Sequence, residues 1–123
     1  MIEVPMLASS AEDVSALVAS FFKLMADPSR RRIFLLLMKG ETCNCELVGL
    51  LGMPQNLISH HLRQLRQAGL IRARRDDVDR RWIYYSIDQA MLGKVHQELG
   101  LFFDPTRCSE RVPQCGPAAQ GCT

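Results

Sequence analysis

Asn44-Cys45-Glu46-Leu47-Val48-Gly49-Leu50-Leu51-Gly52-Met53-Pro54-Gln55-Asn56-Leu57-Ile58-Ser59-His60-His61-Leu62-Arg63-Gln64-Leu65-Arg66-Gln67 is the stretch that decides the fold. Asn44 to Leu51 reads as a short helix ended by Gly52, and Pro54 opens a second helix from Gln55 to Gln67. The second helix carries Leu62 and Leu65 on one side, and Gly69 follows as its stop. Two short helices joined by a tight glycine-containing turn form a helix-turn-helix pattern.

Working outward, the hydrophobic period changes after Gly69. Leu70 to Arg75 and Arg81 to Ile87 are β-prone, and the polar run Asp76-Asp77-Val78-Asp79-Arg80 between them predicts a hairpin of unspecified turn type. A last helix, near Asp88 to Phe103, carries Leu92, Val95, Leu99 and Phe102, and Asp104-Pro105 ends it. Upstream, Asp27 and Pro28 read as N-cap and first position of a helix through Ile33, Leu36 and Leu37 that stops at Gly40. Before it, Val14, Leu17, Val18, Phe21 and Met25 fall on one face of an amphipathic helix from about Glu12. The fold expected is mainly α with a small β-hairpin (α+β): a winged helix-turn-helix. Residues 1–103 would form the domain, and 104–123 a flexible, cysteine-containing tail.

The helix from Gln55 has the composition of a major-groove reader. Gln55, Asn56, Ser59, His60 and Arg63 are polar groups able to meet base edges or phosphates, while Ile58, Leu62 and Leu65 dock the other side. Arg74, Arg75, Arg80 and Arg81 stud the hairpin, which suits phosphate or minor-groove contact. His60 and His61 point about 100° apart on a helix, so they chelate poorly. One would face DNA and the other the scaffold.

Ala26-Asp27-Pro28-Ser29-Arg30, Glu41-Thr42-Cys43-Asn44-Cys45-Glu46-Leu47, Gln55 to Leu62 and Trp82-Ile83-Tyr84-Tyr85 together resemble the ArsR/SmtB family of metal(loid)-responsive repressors, in its arsenic-sensing branch. The likeness covers roughly Val14 to Phe103. It implies a homodimer joined through the first and last helices, on a palindromic double-stranded operator, repressing a resistance operon until an inducer binds. Val14, Leu17, Val18 and Phe21 with Leu92, Val95, Leu99 and Phe102 would form that dimer interface.

Cys43 and Cys45 are the sharpest chemical feature. Thiolates are soft donors for thiophilic ions, and a helix N-terminus is expected to lower their pKa. Residues i and i+2 of a regular helix point about 200° apart, whereas in an extended segment they share a side at about 6.6 Å. Joint chelation is therefore expected to need an unwound first turn of the helix from Asn44, which would tilt the reader.

A tight trithiolate site needs a third donor. In the family's arsenic sensors one lies five residues after the first cysteine, but here Val48 stands there, so the pattern is broken. Cys108 is the first choice, with Cys115 and Cys122 as alternatives. The family's zinc sensors use a carboxylate and histidines on the last helix; Asp88 is present, but Ala90 stands where a histidine would be and His96 has no partner set. Trivalent arsenic or antimony is the inducer this reading selects, with no organic cofactor. The alternatives are cadmium, lead or zinc in the same fold, or a thiol-based redox or persulfide switch.

Five cysteines in a chain of 123 residues suit a reducing compartment better as ligands or reactive groups than as disulfides. The longest apolar run, Ile33 to Met38, is far too short to cross a bilayer, and Glu3 sits where a secretion signal would be positive. A cytoplasmic protein with no membrane partner is expected. The net charge of +2 identifies no partner by itself, so the clustering of arginines carries that argument. An enzyme is not expected, since the thiols are Cys-x-Cys, not Cys-x-x-Cys, and lack the strand–thiol–helix setting of an oxidoreductase.

Overall fold

Asp27 and Pro28 separate the first two helices. The structure, a computed structural model, describes residues 16–117, and α1 is helical over 16–26 within them. Asp27 is extended and its Oδ1 accepts the Arg30 N–H at 3.0 Å, which caps α2, Pro28–Leu37. Cys43 then caps α3, Asn44–Leu51, and Gly52, at φ 64°, closes it in the left-handed region that favours glycine. The reader, α4, spans Gln55–Gln67. Its exit requires Gly69, which has φ 79° and lies so close to the last helix that an added Cβ would meet Met91 Cε at 3.2 Å. The hairpin is β2, Ile71–Arg75, and β3, Ile83–Ile87; α5, Gln89–Phe102, follows its N-cap Asp88.

These boundaries match the sequence expectation closely, with one addition. Thr42–Cys43 forms a short strand, β1, on the free edge of β3, so the sheet runs β1-β3-β2, antiparallel throughout. Two residues are too few to show alternation in the sequence. The strand exists because β3 offers unpaired backbone groups at its edge.

The core draws Ile33, Phe34 and Leu37 from α2, Leu47 from α3, and Ile58, Leu62 and Leu65 from α4. Leu70, Ile71, Ile87 and Val95 close it from the wing and α5. Burying each such side chain stabilises the fold by roughly 1.5–3 kcal/mol, so three of them fix α4 firmly. Arg30 adds a polar lock that composition does not reveal. Its guanidinium donates to the Leu24 and Lys23 carbonyls at the end of α1 and to Gln64 Oε1 on α4.

Asp104 and Pro105 do more than end α5. Asp104 caps a single 3-10 turn, Pro105–Arg107, and Arg107 donates back to the Leu101 carbonyl at 2.7 Å. Beyond it the described tail residues form no helix or strand and are exposed. No helix among the described residues is long and apolar enough to cross a membrane.

Candidate functional site

α4 holds its polar groups outward because its apolar ones are claimed by the core. Gln55, Asn56, Ser59, His60 and Arg63 are all exposed, on the opposite side from Ile58, Leu62 and Leu65. His60 faces solvent while His61 is 5% exposed, with Nε2 4.0 Å from Asp27 Oδ1. His61 is thus turned to the scaffold and His60 away from it. Leu57 also stands exposed on this helix and was not singled out from the sequence.

The wing arginines are another matter. Arg74 makes a two-point ion pair with Glu41, at 2.9 and 2.8 Å, and lies 4.5 Å over the Tyr84 ring. Arg75 donates to the Arg80 carbonyl at 2.7 Å, and Arg81 makes a two-point pair with Asp79. Among the described residues, only Arg80 of these four has its guanidinium without a hydrogen bond or ion pair. Asp76 shapes the turn by accepting the Val78 and Asp79 N–H groups, and those two bonds hold its carboxyl below the usual carboxylate range.

The two thiols meet at the junction of β1 and α3, where Cys43 Sγ and Cys45 Sγ lie 2.9 Å apart. This corrects the expectation that the first helical turn must unwind. Cys43 is the N-cap with extended backbone, φ −82° and ψ 158°, and Cys45 is already in the first turn, so the change of conformation between them turns both sulfurs to one side. Cys43 also occupies the place of the hydroxyl residue in a capping box, with its N–H donating to Glu46 Oε1 at 3.2 Å.

The expected acidity is corrected as well. Burial pushes the Cys43 thiol up, and the neighbouring Cys45 sulfur adds to this, outweighing the Glu46 backbone N–H that acts the other way. A helix N-terminus lowers a thiol's pKa only where solvent still supports the charge. Cys43 is buried and Cys45 exposed.

Cys108 and Cys115 are exposed, and among the described residues no group of three or more His, Cys, Asp and Glu is gathered. Within this chain, Cys108 is not brought to the pair. Cys122 lies outside the described residues. Asp88 is engaged in capping α5 through the Met91 N–H at 3.0 Å and in facing Arg72 at 3.4 Å.

The apolar stripes of α1 and α5 are largely consumed within the chain. Val18 and Val95 are each 2% exposed within the single chain, and Leu17, Phe21, Leu92 and Leu99 pack against its core. Val14 lies outside the described residues. Phe102 does remain exposed, and it stacks edge-on with Phe22 and Phe103 in an aromatic corner beside exposed Leu101. Phe22, Leu101 and Phe103 were not singled out from the sequence: Phe22 and Phe103 lie at the margin of the stripes, four residues after Val18 and Leu99, and Leu101 lies on the opposite side.

A helix-turn-helix with an exposed polar reader and a hairpin beside it defines a winged-helix DNA-binding regulator. Residues 27–73 match the model of the bacterial regulatory protein arsR family. The arsenic resistance transcriptional regulator ArsR1 of Pseudomonas putida is 45% identical over 67 residues, 54% of this chain and 50% of that relative, so the match spans half of its length. An arsenical resistance operon repressor of Staphylococcus aureus is 31% identical over 84 residues, 68% of this chain and 78% of that one. A solved ArsR-like transcriptional regulator from Rhodococcus superposes with a TM-score of 0.62 at 26% identity, covering 72% of this chain and 80% of that chain. The chain belongs to the arsR family of bacterial regulatory proteins. These relatives are transcriptional regulators, not enzymes.

Proposed function

We propose that this chain is a homodimeric transcriptional repressor released from its operator when trivalent arsenic or antimony bridges Cys43 and Cys45. The observation that carries the reading is the convergence of those two sulfurs, 2.9 Å apart, on the scaffold helix of the helix-turn-helix. The raised Cys43 pKa is compatible with this chemistry. Each thiol gives its proton to a hydroxide of arsenous acid, which leaves as water while the arsenic–sulfur bond forms. Two thiols thus form two bonds and release two waters, with no oxidant or free thiolate required at the outset. The third position on the ion is left for hydroxide or for a tail thiol, Cys108 first, from either protomer. That relatives are described as arsenic resistance regulators supports the choice of ion.

In the dimer, Phe22, Leu101, Phe102 and Phe103 supply the apolar surface left uncovered on α1 and α5. Two copies of α4 then present Gln55, Asn56, Ser59, His60 and Arg63 to successive major grooves. Operator DNA recovered by in vitro selection and carrying a fluorophore tests the reading by anisotropy. Arsenite is expected to free the DNA from the wild-type protein but not from Cys43→Ser or Cys45→Ser, and to need higher concentration with Cys108→Ser. Release by cadmium alone would transfer the site to a divalent ion. Release by peroxide alone would make the pair a redox switch, which the short sulfur–sulfur distance also permits.

A further inference from the structure

Cys43 does not stand beside the wing by chance of packing; it is hydrogen-bonded into the same sheet. Cys43 pairs with Tyr84 across β1 and β3, and Arg74 pairs with Tyr84 across β2 and β3. The three residues form one row, and directly paired residues on antiparallel strands share a face. Arg74 lies over the Tyr84 ring and is held there by Glu41, the residue before β1. The Tyr84 hydroxyl reaches towards Asp76 Oδ1 at 3.4 Å, and Asp76 shapes the wing turn through Val78 and Asp79.

From this row we infer that occupancy of the thiol pair is transmitted to the wing through Tyr84, held in place by the Glu41–Arg74 ion pair. The inference rests on the metalloid-release reading above. Strain introduced at Cys43 moves whichever neighbour is softer. α4 is anchored by Ile58, Leu62 and Leu65 and tied to Arg30 through Gln64. The hairpin beyond Tyr84 has no such anchor: its tip is exposed, and Ile83 to Ser86 are only half-buried. A ligand that seats between Cys43 and Cys45, whose sulfurs stand only 2.9 Å apart, must re-space them; it therefore displaces Tyr84, loosens its hold on Arg74 and Asp76, and moves the wing. Glu41 and Tyr84 act as positioning residues, not DNA contacts.

The single tryptophan, Trp82, provides the readout, since its carbonyl accepts the Asp76 N–H at 2.9 Å at the base of the wing turn. Arsenite is titrated into wild-type protein, Tyr84→Phe and Glu41→Gln, following Trp82 emission and operator binding, with thermal melts to confirm folding. In the wild type the emission is expected to change in step with operator release. Both variants are expected to bind operator within about twofold of wild type when unloaded. Their loss of affinity on loading should shrink by about fivefold or more, a drop in coupling of about 1 kcal/mol. Operator release with silent Trp82, or unchanged coupling in both variants, would overturn the wing route while leaving the sensor reading intact. Absence of arsenite-driven release in the wild type would instead remove the sensor reading and this inference with it.

Discussion

The reader helix and the wing both look basic and exposed, yet most of the wing's arginines are already engaged by groups of the chain itself. On α4, Arg63 is exposed and, among the described residues, its side chain has no hydrogen bond or ion pair. On the wing, Arg74, Arg75 and Arg81 are engaged by Glu41, the Arg80 carbonyl and Asp79. An arginine that must first leave a two-point carboxylate partner gains less from a phosphate than one that starts in water. Exposure is therefore a poor guide to availability: Arg74, Arg75 and Arg81 are already engaged in shaping the wing, and, among the described residues, Arg80 alone of the four is not.

The aromatic corner belongs with the reader as an open surface, and it gives the largest expected effect. If the proposed dimer forms through this corner, Phe22→Asp with Phe102→Asp should leave a monomer in sedimentation equilibrium where wild type is dimeric, and weaken operator binding by about a hundredfold, because one half-site no longer assists the other. Next, Arg63→Ala should lower operator affinity by about thirtyfold, near 2 kcal/mol, in anisotropy at fixed salt. Arg81→Ala should cost less than about threefold in the same assay, within the range of an exposed ion pair. If the two arginine variants behave alike, the contrast between reader and wing fails.

Arg30→Ala sharpens the comparison from the side of stability. It removes three hydrogen bonds that join α1, α2 and α4, and should lower unfolding free energy by about 2 kcal/mol. The salt dependence of operator binding should be unchanged if this guanidinium, already engaged by Leu24, Lys23 and Gln64, serves the fold alone.

The thiol pair offers the smallest effect and a check on acidity. Iodoacetamide at neutral pH should label Cys45 about tenfold faster than Cys43, because Cys43 is buried and its thiol holds its proton. A thiol whose folded pKa is raised favours the fold below the unfolded value and loses that contribution as pH climbs through the folded one. The melting temperature should thus fall more steeply above about pH 8.5 in wild type than in Cys43→Ser.

Much of this was legible in the residues. Asp27-Pro28, Gly52, Pro54 and Gly69 mark helix boundaries through fixed backbone preferences, and those boundaries stand. The outward set on α4 was legible because Ile58, Leu62 and Leu65 define the opposite side. What could not be read depends on contacts between distant segments. β1 exists only because β3 lies beside it, and the extended N-cap conformation of Cys43 follows from that pairing. The partners of Arg30 on α4 and of Arg74 are likewise tertiary, whereas Arg81 pairs with Asp79 only two residues away, so composition placed unlike arginines in one class. The stripes on α1 and α5 showed how much apolar surface exists, not how much of it the chain covers itself.

Reciprocity gives the most direct test of the central claim, that filling the sulfur pair opposes operator binding. Arsenite affinity is measured for the free protein and for the protein held on saturating operator. The account predicts at least about tenfold weaker arsenite binding on the operator, equal to the factor by which arsenite weakens DNA binding. Equal arsenite affinity in the two states would contradict it.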